Sequence, residues 1–204
     1  IKAEGVEPDE NHAGYARETL HVPVTTGFAR EIDRKDSFDI VTMNHVLEHM
    51  ADPLGELKHI WTMLKENGYL VVEVPNAEDI RQAPKHRYHR AHLYTFNPET
   101  LTALGGEAGF KVIRKRIAPL NGNISVIFQK CDHSEDVGFN PAGNFEKIKK
   151  TFDLHTTFHH FLTLTPYVKP FQTLAGAFCE RVSVMDIKND QEIIDRVIFE
   201  AEIE

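Results

Sequence analysis

Phe38-Asp39-Ile40-Val41-Thr42-Met43-Asn44-His45-Val46-Leu47-Glu48-His49, followed by Asp52-Pro53 and then Leu54, Leu57, Ile60, Trp61 and Leu64, decides how this chain is read. Phe38 to Met43 is a short apolar run with β-branched members, preceded by the polar, turn-like stretch Asp33 to Ser37, and reads as a buried parallel strand. Asp52 is placed to cap a helix whose first residue is Pro53, and the apolar residues that follow recur at helical spacing. Asn67-Gly68 reads as the C-cap of that helix. Tyr69 to Val74 is a second β-rich run, closed by Pro75-Asn76. A strand, a helix and a strand with short connections predict a parallel sheet covered by helices.

Upstream, Lys2 to Glu7 predicts a strand that ends at Glu7-Pro8-Asp9, and Ala13, Tyr15, Ala16 and Leu20 predict the helix after it. Val22 to Thr26 reads as another short strand. Asn97-Pro98-Glu99 opens a helix through Leu101 and Leu104 that runs out at Gly105, Gly106 and Gly109. Lys111 to Ile117 and Ile124 to Gln129 predict a hairpin turning at Asn121-Gly122-Asn123. Beyond Cys131 the pattern changes: residues 132–143 are loop-like, and Phe145, Ile148, Phe152, His155, Phe158 and Leu162 mark one face of a long helix that Pro166 and Pro170 interrupt. Ile193, Ile194, Val197, Ile198 and Ala201 predict a last helix from Asp190.

The bulk properties narrow the function. With 204 residues, 41% of them hydrophobic, the chain is long enough for one good core. A formal net charge of -8 argues against a dedicated nucleic-acid binder, which needs basic residues in excess on one face. A small-molecule partner fits better. Cys131 and Cys179 match no zinc or redox spacing, so two unpaired thiols in a reducing compartment are expected, with the cytoplasm as the address. No apolar run reaches the ~18 residues of a membrane span, so no membrane partner is expected.

The order of these signals resembles the class I S-adenosylmethionine-dependent methyltransferase family, in the branch with a Glu-His pair after the fourth strand. The matching pieces are Gly5-Val6-Glu7-Pro8-Asp9, Phe38-Asp39-Ile40-Val41, Val46-Leu47-Glu48-His49 with Asp52-Pro53, Leu64-Lys65-Glu66-Asn67-Gly68-Tyr69-Leu70, Val74-Pro75-Asn76 and Glu107-Ala108-Gly109-Phe110-Lys111-Val112. The resemblance implies an α/β, Rossmann-like sheet, mostly parallel with a C-terminal antiparallel hairpin. Residues 1–131 would form this core and residues 132–204 a helical appendage. The implied cofactor is S-adenosylmethionine, and the implied reaction is methyl transfer to oxygen, nitrogen or carbon of a small molecule.

Glu7, at the carboxyl end of its strand, is where an acid accepts hydrogen bonds from the ribose hydroxyls of a nucleoside, with Pro8 beside it. The resemblance puts adenine near Gly27-Phe28-Ala29, where Phe28 serves either the ring or the core. It puts the methionine end near Asn44 and His45. Glu48-His49 either orients the following helix or contacts a ligand.

His86, Tyr88, His89 and His92 follow the fifth strand, on the acceptor side of this architecture, and an imidazole near neutral pKa suits proton removal from a hydroxyl acceptor. His89 and His92 are the candidate bases. Two metal readings are weighed and set aside, so no metal is expected. His45-Val46-Leu47-Glu48-His49 matches the zinc motif H-x-x-E-H, but Asp52-Pro53 starts a new helix where that motif's helix should continue. His86-x-x-His89-x-x-His92 lacks a carboxylate that visibly converges on it.

In the family a strand, a Gly-x-Gly-x-Gly loop and a helix precede the Glu7 strand, and that first strand is central in the sheet. This chain has no such loop; Gly105-Gly106-Glu107-Ala108-Gly109 follows a helix and precedes a strand, the reverse order. The expectation is therefore that the missing segment lies upstream of Ile1, and that the chain as written binds the cofactor poorly. The rival to an enzyme is a non-catalytic, methyltransferase-like protein that binds a partner. The C-terminal helices would cover the acceptor pocket or join two copies in a homodimer.

Overall fold

The computed structural model describes residues 2–80, 83–86, 88–118, 122–131 and 141–183. The helix expected from Asp190 and the loop 132–140 lie outside the described residues. The chain divides into two compact units. One is built from the segments before Asp33 and after Pro166, the other from Asp33–Pro166.

In the first unit, β1 (Gly5–Glu7) lies parallel to β2 (Val24–Thr26), with Glu7 opposite Thr26, and α1 (Glu10–Glu18) connects them. Asp9 caps α1, its carboxylate accepting from the amides of Asn11 and His12. Arg17 closes the unit by donating to Thr26 Oγ1 at 2.8 Å and to Glu10 at 2.9 Å.

The second unit carries a four-stranded sheet of order β3-β4-β6-β5. β3 (Phe38–Asn44) and β4 (Leu64–Pro75) are parallel and joined by α2 (Pro53–Met63). α3 (Pro98–Glu107) leads into β5 (Phe110–Ile117), which forms the expected antiparallel hairpin with β6 (Asn123–Lys130). β6 alternates buried and half-buried residues, so Ile124, Val126 and Phe128 enter the core beside Leu70, Val72 and Val74 of β4. Among the described residues β5 is one edge of the sheet, and Lys111, Arg114, Lys115 and Arg116 on it oppose pairing with another strand. The caps read from sequence form: Asp52 accepts from Gly55 N–H at 2.9 Å and Asn97 from Thr100 N–H at 3.0 Å.

Four expectations are corrected. Asn67-Gly68 does not cap α2, which ends at Met63; the two residues lie inside β4. Asn67 takes φ 60°, and the register jumps from Phe38↔Leu64 to Ile40↔Tyr69, so the strand bulges there. β3 is not buried on both faces: among the described residues it pairs only with β4, and Ile40 is 58% exposed. α3 continues through Gly105 and Gly106, and Gly105 serves packing instead: it lies so close to the Phe128 ring that a side chain there would collide with it. The helix stops only before Gly109, at φ 93°. The long C-terminal helix is broken at His155-Thr156 into α4 (Asn144–Leu154) and α5 (Thr157–Leu162), while α6 (Thr165–Ser183) passes through Pro170.

Candidate functional site

The first unit brings Glu7 together with the turn after β2. Gly27 N–H donates to the Glu7 carbonyl at 3.0 Å, and Gly27 adopts φ 138°, a conformation that glycine takes without strain. Glu7 is half-buried at the strand end, and Asp9 N–H donates to its Oε1 at 2.9 Å. This bond holds one carboxylate oxygen and leaves Oε2 without a hydrogen bond among the described residues. A fixed carboxylate with an available oxygen fits the edge of a ribose diol. Pro8 is exposed beside it.

Phe28 is not a core residue. It is 41% exposed, with the Arg30 guanidinium 4.8 Å over its ring and its own N–H donating to Glu31 at 3.0 Å. Ala29 starts the short 3-10 turn that follows. An aromatic face and a tight turn next to the acid suit a nucleoside base.

The other candidates lie in the second unit. Asn44 ends β3 and is exposed. His45 takes φ 53°, an unusual value for a non-glycine residue, and its backbone N–H donates to Glu73 O at 2.9 Å. Asn123 donates to His45 Nε2 at 2.9 Å, so the proton sits on Nδ1, which faces Glu48 Oε1 at 3.3 Å. The same Asn123 amide also donates to Glu73 Oε1 at 2.9 Å, and Ser125 donates to Glu73 Oε2 at 2.7 Å. These bonds, that of Ser125 first, hold the Glu73 carboxyl below the usual carboxylate range.

Glu48 and His49 occupy a 3-10 turn, Leu47–His49, between β3 and α2. The Glu48 carbonyl accepts from Leu93 N–H at 2.9 Å and Tyr94 N–H at 3.2 Å, which anchors the histidine stretch onto this turn. His49 Nδ1 donates to Ala91 O at 2.9 Å. His92 stacks edge-on to His49 and tilted to His89, with ring centroids 4.8 Å apart in both pairs. Burial pushes the His92 imidazole below its usual pKa, and the neighbouring histidines add to this, while the Glu48 carboxylate opposes it. His89 is exposed, and its Nδ1 accepts from Ala91 N–H at 3.3 Å. The side chain of His86 lies outside the described residues.

The eight site residues read from sequence thus fall in two groups in different units: Glu7, Pro8, Phe28 and Ala29, and Asn44, His45, His89 and His92. The sequence leaves Glu48 and His49 open between two roles and does not single out Glu73 and Asn123, which the fold brings to His45. Glu48 carried only its place in the Glu-His pair before the capped helix. Glu73 gave no signal: it alternates within a strand as any solvent-facing residue would.

The comparisons with known proteins agree with the fold. A family model described as a methyltransferase domain matches residues 1–115. The chain belongs to this family, the class I S-adenosylmethionine-dependent methyltransferases, and S-adenosylmethionine is the family's cofactor. No curated protein matches the chain. Among solved structures, a SAM-dependent methyltransferase from Thermotoga maritima is 24% identical with a TM-score of 0.52, over 62% of this chain and 72% of that one. A SAM-dependent methyltransferase from Archaeoglobus fulgidus is 18% identical with a TM-score of 0.52, over 64% of this chain and 76% of that one. The cyclase SpnF is 15% identical with a TM-score of 0.54, over 64% of this chain and 66% of that one. These likenesses show the fold; that one of the three proteins is named a cyclase is a reminder that fold alone does not set the reaction.

Proposed function

We propose that this protein transfers the methyl group of S-adenosylmethionine to oxygen, nitrogen or carbon of a small-molecule acceptor. The observation that carries the reading is Glu7, a carboxylate steadied at a strand end within a hydrogen bond of the Phe28 turn, in a chain of the methyltransferase family. Glu7 binds the ribose hydroxyls, Pro8 shapes the strand end, and Phe28 and Ala29 flank the adenine. Asn44 and His45 line the methionine end. The cofactor supplies an activated methyl on sulfur; the protein holds the donor and the nucleophile in line and, for a hydroxyl acceptor, accepts a proton.

His89 and His92 are the bases proposed for that proton. The Ala91 amide occupies the Nδ1 lone pair of His89, whereas burial lowers the pKa of His92 and so favours its unprotonated, proton-accepting form, which favours His92. A groove of about 300 Å³, lined by Tyr88 and Thr95 on either side of this stretch and by Phe145, Ile148 and Phe152 of α4, offers an apolar acceptor a place. No described helix is long and apolar enough to cross a membrane. The reading keeps the cytoplasm as its address, since Cys131 and Cys179 match no zinc or redox spacing.

The test is label transfer from methyl-labelled S-adenosylmethionine to a panel of hydroxyl, amine and activated-carbon acceptors. The reading expects at least one acceptor to be methylated, and for a hydroxyl acceptor His92→Ala to slow transfer roughly 10²–10⁴-fold with cofactor affinity kept. Cofactor binding with no transfer to any acceptor class would favour the partner-binding rival, to which the exposed Phe158, Phe161 and Leu162 of α5 lend an observation of their own.

A further inference from the structure

We propose that Glu48, His49 and His92 form a binding site for one divalent transition-metal ion. The sequence lacked a carboxylate that converges on the histidine stretch, and the fold provides one. One ligand atom from each of the three residues lies within 4.8 Å of the other two. Glu48 is 1% exposed, and its Oε2 has no hydrogen-bond partner among the described residues. A buried carboxylate oxygen left bare is costly, by about 1–3 kcal/mol or more for a charged group. The cost is removed by a cation.

The histidines present the right atoms. Because His49 Nδ1 donates to the Ala91 carbonyl, the ring's lone pair is on Nε2, which faces Glu48 Oε1 at 3.9 Å. A ligating imidazole whose other nitrogen is fixed by a carbonyl is the usual way a protein sets tautomer and aim. His45 does the same for the carboxylate, its Nδ1–H held to Glu48 Oε1 by the Asn123 bond on the far nitrogen. Backbone bonds from Leu93 and Tyr94 go to the Glu48 carbonyl, so the carboxylate is not needed to dock the loop. Ligands at about 2.1 Å from a shared ion are roughly 3–4 Å apart, and the three groups reach that spacing by movements of under ~1 Å.

Two imidazoles and one carboxylate leave coordination positions open, the arrangement of catalytic sites that bind substrate oxygen. An acceptor with a hydroxyl or paired oxygens would occupy them; ionised on the metal, it releases its proton to bulk water, which relieves His92 of the base role. This use of the ion rests on the methyl-transfer reading. Binding of the ion does not.

The natural protein is therefore titrated with Co²⁺ alone, followed by visible absorption and calorimetry, with no methyl donor present. One equivalent is expected to bind, unchanged in the surface control His12→Ala, weakened about 10–100-fold in His45→Ala, and lost or weakened beyond that in His49→Ala and His92→Ala. The melting temperature of each variant verifies folding. Failure of the parent protein to bind one equivalent, or binding that persists in folded His49→Ala and His92→Ala, overturns the proposal. Metal binding without label transfer would instead count against the methyl-transfer reading.

Discussion

At the residue scale, the fold fixes which atom each candidate residue presents. Phe28 makes the point: its position after β2 left it open between core and ligand, and its 41% exposure with Arg30 above the ring removes the core option. Phe28→Ala is expected to weaken S-adenosylmethionine binding by about 1–3 kcal/mol, the usual worth of an aromatic platform under a base, with little change in melting temperature. Calorimetry and a thermal melt check both halves. Ser125 belongs to a different network. Its hydroxyl is the main reason that the Glu73 carboxyl titrates low, and a carboxylate with a depressed folded-state pKa adds stability above its unfolded pKa and loses it as pH falls through the folded one. Ser125→Ala is therefore expected to be about 1 kcal/mol less stable than the parent at pH 7. The difference should shrink in acid, below the ordinary Glu range, and urea melts at both pH values measure it.

At the element scale, α3, β5 and β6 act as one packed layer. Gly105 allows α3 to lie against Phe128, and Trp61 of α2 donates to Gly109 O at 3.0 Å and Cys131 O at 3.2 Å, tying the helix stop to the end of β6. Lys130 lies 4.1 Å over the Trp61 ring and donates to Asp36 at 2.9 Å. Gly105→Ala should lower stability by about 1–3 kcal/mol through overpacking, while Gly176→Ala, where nothing stands within 4 Å of the added carbon, should not. Denaturant melts of the pair decide the matter. The elements themselves were legible because their signals are local: Asp52-Pro53 and Asn97-Pro98 start helices by capping chemistry, and Gly109 stops one by its dihedral. Gly105 and Asn67 were misread because their roles depend on Phe128 and Phe38, far away in sequence. The break at His155-Thr156 was hidden for another reason: the apolar spacing continues across it, and Thr156 capping α5 is an event of one residue. The place of Glu7 at a strand end was readable, whereas the convergence of Glu48 with His92 spans more than forty residues and leaves no local pattern.

At the scale of the whole molecule, the chain combines a methyltransferase-family core with helices whose apolar side chains face outward. Phe171, Leu174 and Phe178 of α6 recur at helical spacing and are each at least 68% exposed, the pattern of a face made to be covered. If two copies cover it, the natural protein should sediment as a homodimer, and Phe171→Ser with Phe178→Ser should shift it to monomer. A single monomeric species in the parent would remove that assembly. The central claim is that the Glu7 and Phe28 unit holds the nucleoside of S-adenosylmethionine, and calorimetric titration of the natural protein with the cofactor, alongside Glu7→Ala and Glu7→Gln, tests it most directly. The account predicts saturable one-to-one binding in the parent. Affinity should fall by about 1.5–3 kcal/mol for each ribose bond lost in Glu7→Ala, and by less in Glu7→Gln, which keeps an acceptor oxygen at the strand end. Binding of equal strength in all three proteins, or none in the parent, would contradict it.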